Sequence, residues 1–303
     1  MAGGAPQPFD VLVIGEALID IVEHTGRPNA AAEHIGGSPA NVAMGLARLG
    51  HRALLATRVG QDPRGERIRD ALEFEGVNFT STSLDGDRTS TARATIDTTG
   101  AASYDFDIDW RFDSPAESTA VVHAGSIALF LEPGGTSVEQ YLAQLPPEAI
   151  VTIDPNVRPD LMPDHATALA RFGRVSARAQ LVKLSDEDAE WFFPGRSPID
   201  IARQILSYGP RVVVVTLGAA GALAVTSKRD YAIPAAPASV VDTISAGDSF
   251  MAALVSSLLT LGLTGVEAHI EAVLDRAARA AAIAVSRAGA NPPFSAALDG
   301  ARS

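Results

Sequence analysis

The sequence predicts an α/β fold, a parallel sheet covered on both faces, with a small second β element attached. Three observations carry this. After Ser114, the short, β-branched, near-continuous apolar segments AVVHAGS, AIVTIDPN, AQLVKLS and RVVVVTLG alternate with helical stretches. That is the pattern of strands buried on both faces between helices. Before it, STARATIDTTGAASYDFDIDW alternates with period two, is rich in Thr and turns at Thr99-Gly100, which predicts a hairpin with one solvent-facing side. The last third is helical over 247–261 and 267–286.

In chain order, FDVLVIGEALIDIV predicts two buried strands around Gly15. SPANVAMGLARLG has Pro39 at an early helical position, helical apolar spacing and a closing Gly50, so a helix is expected there. ALLATRVG predicts a strand and DPRGERIRDALEFEG an amphipathic helix. The hairpin region is the candidate for a lid, and a Pro-rich GANPPF closes the helical third. Repeats and low-complexity linkers are absent from the sequence.

Composition narrows the chemistry. With 303 residues, 47% hydrophobic and 20% charged, the chain has ordinary globular character. A net charge of -12 argues against a general nucleic-acid role, because phosphate backbones need a basic surface. The absence of cysteine excludes disulfides, thiolate metal sites and a Cys nucleophile. MAGGAPQPFD carries neither a basic nor an apolar signal region. No apolar run is expected to reach the roughly 18 residues of a membrane span. A soluble, cytoplasmic protein with neither membrane nor nucleic-acid partner is the expectation.

The most informative stretch is DTISAGDSF, Asp242 to Phe250, leading into an apolar helix. Acids and hydroxyls suit a helix start as caps. The free N–H groups of a helix start also bind phosphate, and Ala246 and Gly247 permit close approach of a ligand. Asp248 would repel that phosphate unless it takes the proton of a hydroxyl attacking it. Other polar signals follow predicted strands, where parallel α/β sheets bind ligands. Asp20 follows the first. Asp154, Asn156 and Arg158 follow another, then Lys183 with the acidic SDEDAE, then Thr216, Gly218 and Gly221. A surface Arg, a solvated helix start and a simple β-turn are the plainer readings of the last three groups. Gly36 and Gly37 allow close backbone approach, and Asn41 offers donor and acceptor to a polyol.

GGSPANVAMGLARLG near the front and DTISAGDSFMAAL near the back, in that order and separation, resemble the ribokinase-like, or PfkB, family of carbohydrate kinases. The likeness runs from VLVIGEALID to SRAGANPP. It implies one domain over 1–303 with a Rossmann-like αβα core and a small β-sheet lid, contributed mainly by about 15–35 and 88–112. It implies transfer of the ATP γ-phosphoryl group to a sugar hydroxyl with Mg²⁺ and K⁺. By position, Asp248 resembles the catalytic base, and the N–H groups of Ser245, Ala246 and Gly247 resemble the anion hole, with Arg158 clamping charge. Asp20, Gly36, Gly37, Asn41 and Asn156 resemble sugar contacts, and Tyr104, Phe106 and Trp110 are expected to shape the pocket. Lys183, Asp188, Thr216, Gly218 and Gly221 resemble the nucleotide site. Asp242 and the Ile244 carbonyl, with Ala284, Arg287 and Gly289, resemble a monovalent-cation site.

Two positions depart from the family pattern. Ser245 stands where Gly-Ala-Gly-Asp has its first Gly, and Ser185-x-x-Asp188 replaces Asn-x-x-Glu. The shorter Asp188 points to metal contact through water. GEALIDIV, DPNVR and GANPP are most similar to fructokinases, with a 2-keto-3-deoxygluconate, other ketohexose or ribose kinase next. A catalytically silent sugar-binding relative is the rival class. An NAD-dependent oxidoreductase is disfavoured because VIGEAL lacks G-x-G-x-x-G. Dimerisation of family members through the lid implies a homodimer.

Overall fold

A computed structural model describes residues 9–25, 31–97 and 102–300. In chain order the elements are β1 (Val11–Ile14), β2 (Leu18–His24), β3 (Ala32–Gly36), α1 (Ser38–Arg48), β4 (Ala53–Ala56), α2 (Pro63–Phe74) and β5 (Asn78–Phe79). Then come β6 (Thr91–Ile96), β7 (Ala102–Asp107), β8 (Val121–Gly125), α3 (Gly134–Gln144), β9 (Ile150–Asp154), α4 (His165–Arg178) and β10 (Leu181–Ser185). The remainder is α5 (Asp186–Phe192), α6 (Pro198–Leu206), β11 (Val212–Thr216), β12 (Ala222–Thr226), β13 (Asp230–Ile233), α7 (Ala246–Ala268), α8 (Ile270–Val285) and α9 (Ser295–Asp299).

The large sheet runs β13-β12-β11-β10-β9-β8-β1-β4-β5. Its strands are parallel from β5 to β11, as expected. The last two strands, β12 and β13, are antiparallel. The reason is local. Gly218 and Gly221 hold φ of 53° and 100°, so the loop after β11 turns straight back rather than crossing over a helix. Both faces of the sheet are covered. On β1, Val11 and Val13 join a core with α1, α2, α7 and α8, while Leu12 and Ile14 join one with α3 to α6. Burial on two sides is why these strands are continuously apolar.

A separate sheet, β3-β2-β6-β7, sits where the small element was expected. Its hairpin turn at Thr99-Gly100 lies outside the described residues. Asp20 falls inside β2, paired with His34, rather than following a strand of the large sheet. The chain passes from one sheet to the other in three residues, Gly15 to Ala17. Trp110 corrects the expectation that it shapes a pocket. It is buried in the main body, and its Nε1 donates to the Ala128 carbonyl at 2.9 Å. An indole buries large apolar area and needs one acceptor, which the large body supplies.

The helical end also needs a correction. By length and composition, α7 could cross a membrane, contrary to the reading of the apolar runs. Here 61% of the qualifying stretch is buried in the protein, and Gly262, at φ 67° and ψ 169°, breaks the helix. The apolar side chains of α7 fill the layer between α1 and α8, sharing one core with both.

Gly15, at φ 152°, lets α1 dock on the end of β1. A Cβ there would lie 2.2 Å from Pro39 Cγ. Gly15→Ala should lower unfolding free energy by about 2 kcal/mol or more through overpacking and backbone strain. A urea midpoint unchanged from wild type would contradict this docking.

Candidate active site

The first turn of α7 meets the first turn of α1. Asp248 is half-buried, and both carboxylate oxygens are held by α1. Ser38 Oγ donates to Oδ1 at 2.6 Å, and Asn41 Nδ2 donates to Oδ2 at 2.8 Å. The glycine turn makes this possible. At Gly37, φ is 104° and a Cβ would sit 2.4 Å from the Glu16 carbonyl; at Gly36 it would strike Asp20 Oδ2 at 1.9 Å. The pair therefore brings Asp20 beside the start of α1. Burial raises the Asp248 pKa, opposed by the bonds from Ser38 and Asn41 and by the charges of Lys183 and Arg158. Burial likewise raises Asp20, opposed by Arg158 and His34.

Ser245 caps α7 in the left-handed region at φ 60°. The Ala246 N–H turns back to the Thr243 carbonyl at 3.3 Å. Among the described residues, no acceptor is found for the N–H groups of Ser245, Gly247 or Asp248, and the Ser245 hydroxyl is buried without a partner. Such uncommitted donors at the positive end of the helix that runs from Ala246 to the break at Gly262 fit a phosphate.

Beneath this turn lies a buried ion pair. Lys183 Nζ donates to Asp154 Oδ2 at 2.9 Å, with both side chains almost inaccessible. A Cβ on Gly247 would come within 3.0 Å of the same Nζ. Burial alone would lower the Lys183 pKa, but Asp154, Asp188 and Asp248 together hold it up. Burial and the neighbouring Asp188 and Asp248 push Asp154 up to about 6, against Lys183. The pair is therefore charged at neutral pH. His123, bonded to Thr152 on the adjoining strands, is pushed down to about 3 by burial and by Lys183, and stays neutral.

The remaining expected residues divide. Arg158 is exposed, its Nη1 donating to Asn156 Oδ1 and to the Val157 carbonyl at 3.0 Å each, and its charge acts on Glu16, Asp20 and Asp248. Asn156 reaches it from a left-handed φ of 38°. Asp188 serves the local fold. Its Oδ1 accepts from Val157 N at 2.7 Å, and its Oδ2 from Ser185 N at 2.9 Å in a capping box. Thr216 Oγ1 faces the Leu184 carbonyl at 3.5 Å, and Gly218 and Gly221 flank the exposed turn beside it. Tyr104 and Phe106 stack with centroids 6.1 Å apart. They share the Asp20 face of the small sheet, since Phe106 pairs with Ala92 and Ala92 with Asp20.

Asp242 is a bracket. Its Oδ1 accepts from Ile244 N at 3.0 Å and its Oδ2 from Gly289 N at 2.8 Å. The Val285 carbonyl accepts from Val241 N and Asp242 N, and the Ala284 carbonyl from Arg287 N. Arg287 itself reaches the Asn291 and Pro292 carbonyls. The two loops are thus zipped together, and a monovalent cation would take main-chain carbonyls beside a fixed carboxylate.

Two residues escaped the sequence reading. Ser38 was legible as the hydroxyl directly after Gly36-Gly37. Glu16 was legible as the acid closing the first strand. Glu16 is 5% exposed, and its Oε2 has no partner. Burial pushes its pKa up to about 7, opposed by the neighbouring Ser126 and the charge of Arg158. A buried acid whose folded pKa lies above its ordinary value stabilises least where it must ionise. Stability is lost as pH climbs from about 4.5 to about 7. Glu16→Gln removes that loss, so its melting temperature relative to wild type should rise between pH 5 and pH 8. A constant difference across this range would show that Glu16 ionises freely.

The pfkB family carbohydrate kinase pattern matches residues 9–297. A fructokinase of Salmonella typhimurium is 34% identical over 295 residues, covering 92% of this chain and 94% of its own. The Escherichia coli fructokinase is 33% identical over 294 residues, with the same coverages. Among solved structures, a Vibrio cholerae O395 fructokinase double mutant bound to fructose, ADP and potassium is 27% identical, with a TM-score of 0.80 over 96% of this chain and 97% of that one. Aminoimidazole riboside kinase from Salmonella enterica, complexed with aminoimidazole riboside and an ATP analogue, is 26% identical, with a TM-score of 0.82 over 96% and 99%.

Proposed function

Because the chain belongs to the pfkB family of carbohydrate kinases, we propose that it transfers the γ-phosphoryl group of ATP to a hydroxyl of free fructose. The observation that carries the reading is Asp248, held at both oxygens by α1 beside uncommitted N–H donors of α7. A base must sit within hydrogen-bond reach of the hydroxyl it deprotonates. In this reading Asp248 exchanges its bond from Asn41 or Ser38 for one from the sugar hydroxyl and takes that proton. The hydroxyl oxygen bonds to the γ-phosphorus as the bond to the ADP oxygen breaks. The Ser245 and Gly247 N–H groups hold the phosphoryl oxygens, while Lys183 below and Arg158 beside them balance the developing charge. Asp20 and Asn41 hold further hydroxyls.

A divalent ion with the phosphates would neutralise charge between them. The residues present offer it Asp154 Oδ1, buried and without a partner, whereas Asp188 is committed to backbone donors. A potassium ion fits the zipped loops around Asp242, and its charge would steady the anion hole. The Thr216–Gly221 turn receives the nucleotide. The small sheet is read as a lid over the sugar, within one kinase domain. Its exposed Tyr104, stacked on the half-buried Phe106, supports a homodimer through that lid. The reading places the enzyme in the cytoplasm, with sugar and ATP as its partners.

Asp248→Asn keeps both contacts with α1 nearly isosteric but cannot accept the proton. Turnover should fall by about 10²–10⁴-fold with fructose affinity preserved. A mutant retaining half of wild-type turnover would sink the assignment.

Substrate choice is tested by ADP release with fructose, ribose, adenosine, aminoimidazole riboside, fructose 6-phosphate and 2-keto-3-deoxygluconate. Fructose should have the highest kcat/KM. Fructose 6-phosphate should be poor, because the carboxyls at Glu16 and Asp20 face a single Arg158 and would repel a second phosphate. A riboside in first place would leave the kinase chemistry intact and replace fructose as the acceptor.

A further inference from the structure

Asp20 lies in β2, and β2 is flanked in the small sheet by β3 and β6. The start of α2, on the large body, grips both flanking strands. On the β6 side the grip is Asp62, the N-cap of α2. Its Oδ1 accepts from Arg64 N at 3.0 Å and Gly65 N at 2.9 Å, which caps the helix, and from Thr89 Oγ1 at 2.8 Å. Its Oδ2 accepts from Thr89 N at 2.8 Å. Thr89 is buried, and its hydroxyl oxygen in turn accepts from Gly60 N at 3.1 Å. The fit is close. A Cβ on Gly65 would lie 2.9 Å from Thr89 Oγ1, and one on Gly60 would lie 2.5 Å from Thr89 N. On the β3 side, Glu33 accepts from Arg64 Nε and from Arg67 Nη1 at 3.0 Å each. Those ion pairs are partly exposed, and such pairs contribute little, so the firm contact is the one made by Asp62.

We propose that Asp62 is a positioning residue: with Thr89 it clamps the root of β6 to α2, and so fixes Asp20 in the sugar site. The path from one acid to the other is short. Ser90 follows Thr89 and is buried, and its carbonyl accepts from Ile19 N, next to Asp20, at 3.0 Å. Its hydroxyl oxygen accepts from Asp109 N at 3.0 Å, and the hydroxyl donates to the Asp109 carbonyl at 3.3 Å. Beyond it, β6 runs parallel to β2, with Thr91 opposite Ile19 and Ala92 opposite Asp20. Among the described residues, four passages link the small sheet to the large body: Gly15–Ala17, Gly37, the entry to β6 and the exit from β7. Thr89 and Ser90 join the last two, and the bond from Ile19 joins them to the start of β2. The clamp therefore sets Asp20 against Asp248, the span a polyhydroxylated ligand must bridge. A site held slightly out of place binds poorly even when every contact residue is present. α2 follows β4, whereas Lys183 and the Thr216–Gly221 turn belong to β10 and β11 across the sheet, so nucleotide binding does not depend on the clamp. This inference rests on the sugar-kinase reading for the identity of its ligand.

Asp62 also caps α2, so the variants must separate the two tasks. Asp62→Ser keeps a capping oxygen, since Ser and Asp cap about equally well, but its side chain is one bond too short to hold Thr89 as well. Thr89→Val removes the hydroxyl with little change of shape, and Thr89→Ser restores it. The measurements are fructose binding by titration calorimetry, beside KM for fructose and ATP. Asp62→Ser and Thr89→Val should each weaken fructose binding by about tenfold or more, while the KM for ATP stays within about twofold of wild type. Thr89→Ser should match wild type for both substrates. Should Asp62→Ser fail to fold, the two Thr89 variants alone decide. Wild-type fructose affinity in Thr89→Val, equal losses for fructose and ATP, or a Thr89→Ser variant as weak as Thr89→Val would overturn the proposal. Fructose binding that splits as described without any ADP release would instead refute the kinase reading and leave the positioning role standing.

Discussion

The site depends on one carboxylate being held from a distant part of the chain. Asp248 lies 210 residues from Ser38 and 207 from Asn41, and the two bonds between them join the start of α7 to the start of α1. α1 has no side-chain cap of its own, and neither does α7. The acid of α7 is satisfied instead by two side chains in the first turn of α1, the Ser38 hydroxyl and the Asn41 amide. Charge-assisted hydrogen bonds are shorter and stronger than neutral ones, so two of them anchor this contact well.

A chain of net charge -12 that binds a polyphosphate must collect its positive charge locally. Here the resources are few: Lys183, Arg158 and the end of one long helix, set among Glu16, Asp20, Asp154, Asp188 and Asp248. The fold handles the acids in separate ways. Asp188 spends both oxygens on backbone donors. Asp154 is paired with Lys183. Glu16 is buried, and its pKa rises to about 7. Asp20 and Asp248 are left with their charges facing Arg158. This sorting keeps the phosphate end less acidic than the composition suggests. It leaves acceptors where hydroxyls arrive.

The geometry also explains why a small sheet belongs to such a site. In the proposed reading Asp20 serves the sugar from the small sheet, apart from the loops that end the parallel strands of the large one. Placed in β2 it faces the glycine turn, and the register brings His34, Ala92 and Phe106 onto the same side. In the proposed reaction the sugar contacts and the phosphate contacts come from two sheets, with the passage Gly15–Ala17 as one of the links between them.

The sequence alone determined the layered α/β core, because burial on both faces forces continuous apolar strands, and the helix starts, because glycine, proline and small polar residues announce them locally. It also determined the acid at the start of α7, since DTISAGDSF places Asp248 in the first turn by simple counting. Only the tertiary structure decided which side chains meet. Asp188 became a capping box, Trp110 joined the core and Asp242 became a bracket, since each side chain took the nearest backbone donor or acceptor that packing offered. The antiparallel return from β11 into β12 depended on positive-φ glycine geometry, and Gly218 and Gly221 fitted a nucleotide loop and a hairpin turn equally well in sequence. Ser38, Glu16 and the Lys183–Asp154 pair are contacts between residues far apart in the chain. Local pattern carries no information about such contacts, because the distance between two side chains is set by how whole layers pack and not by the residues on either side of them.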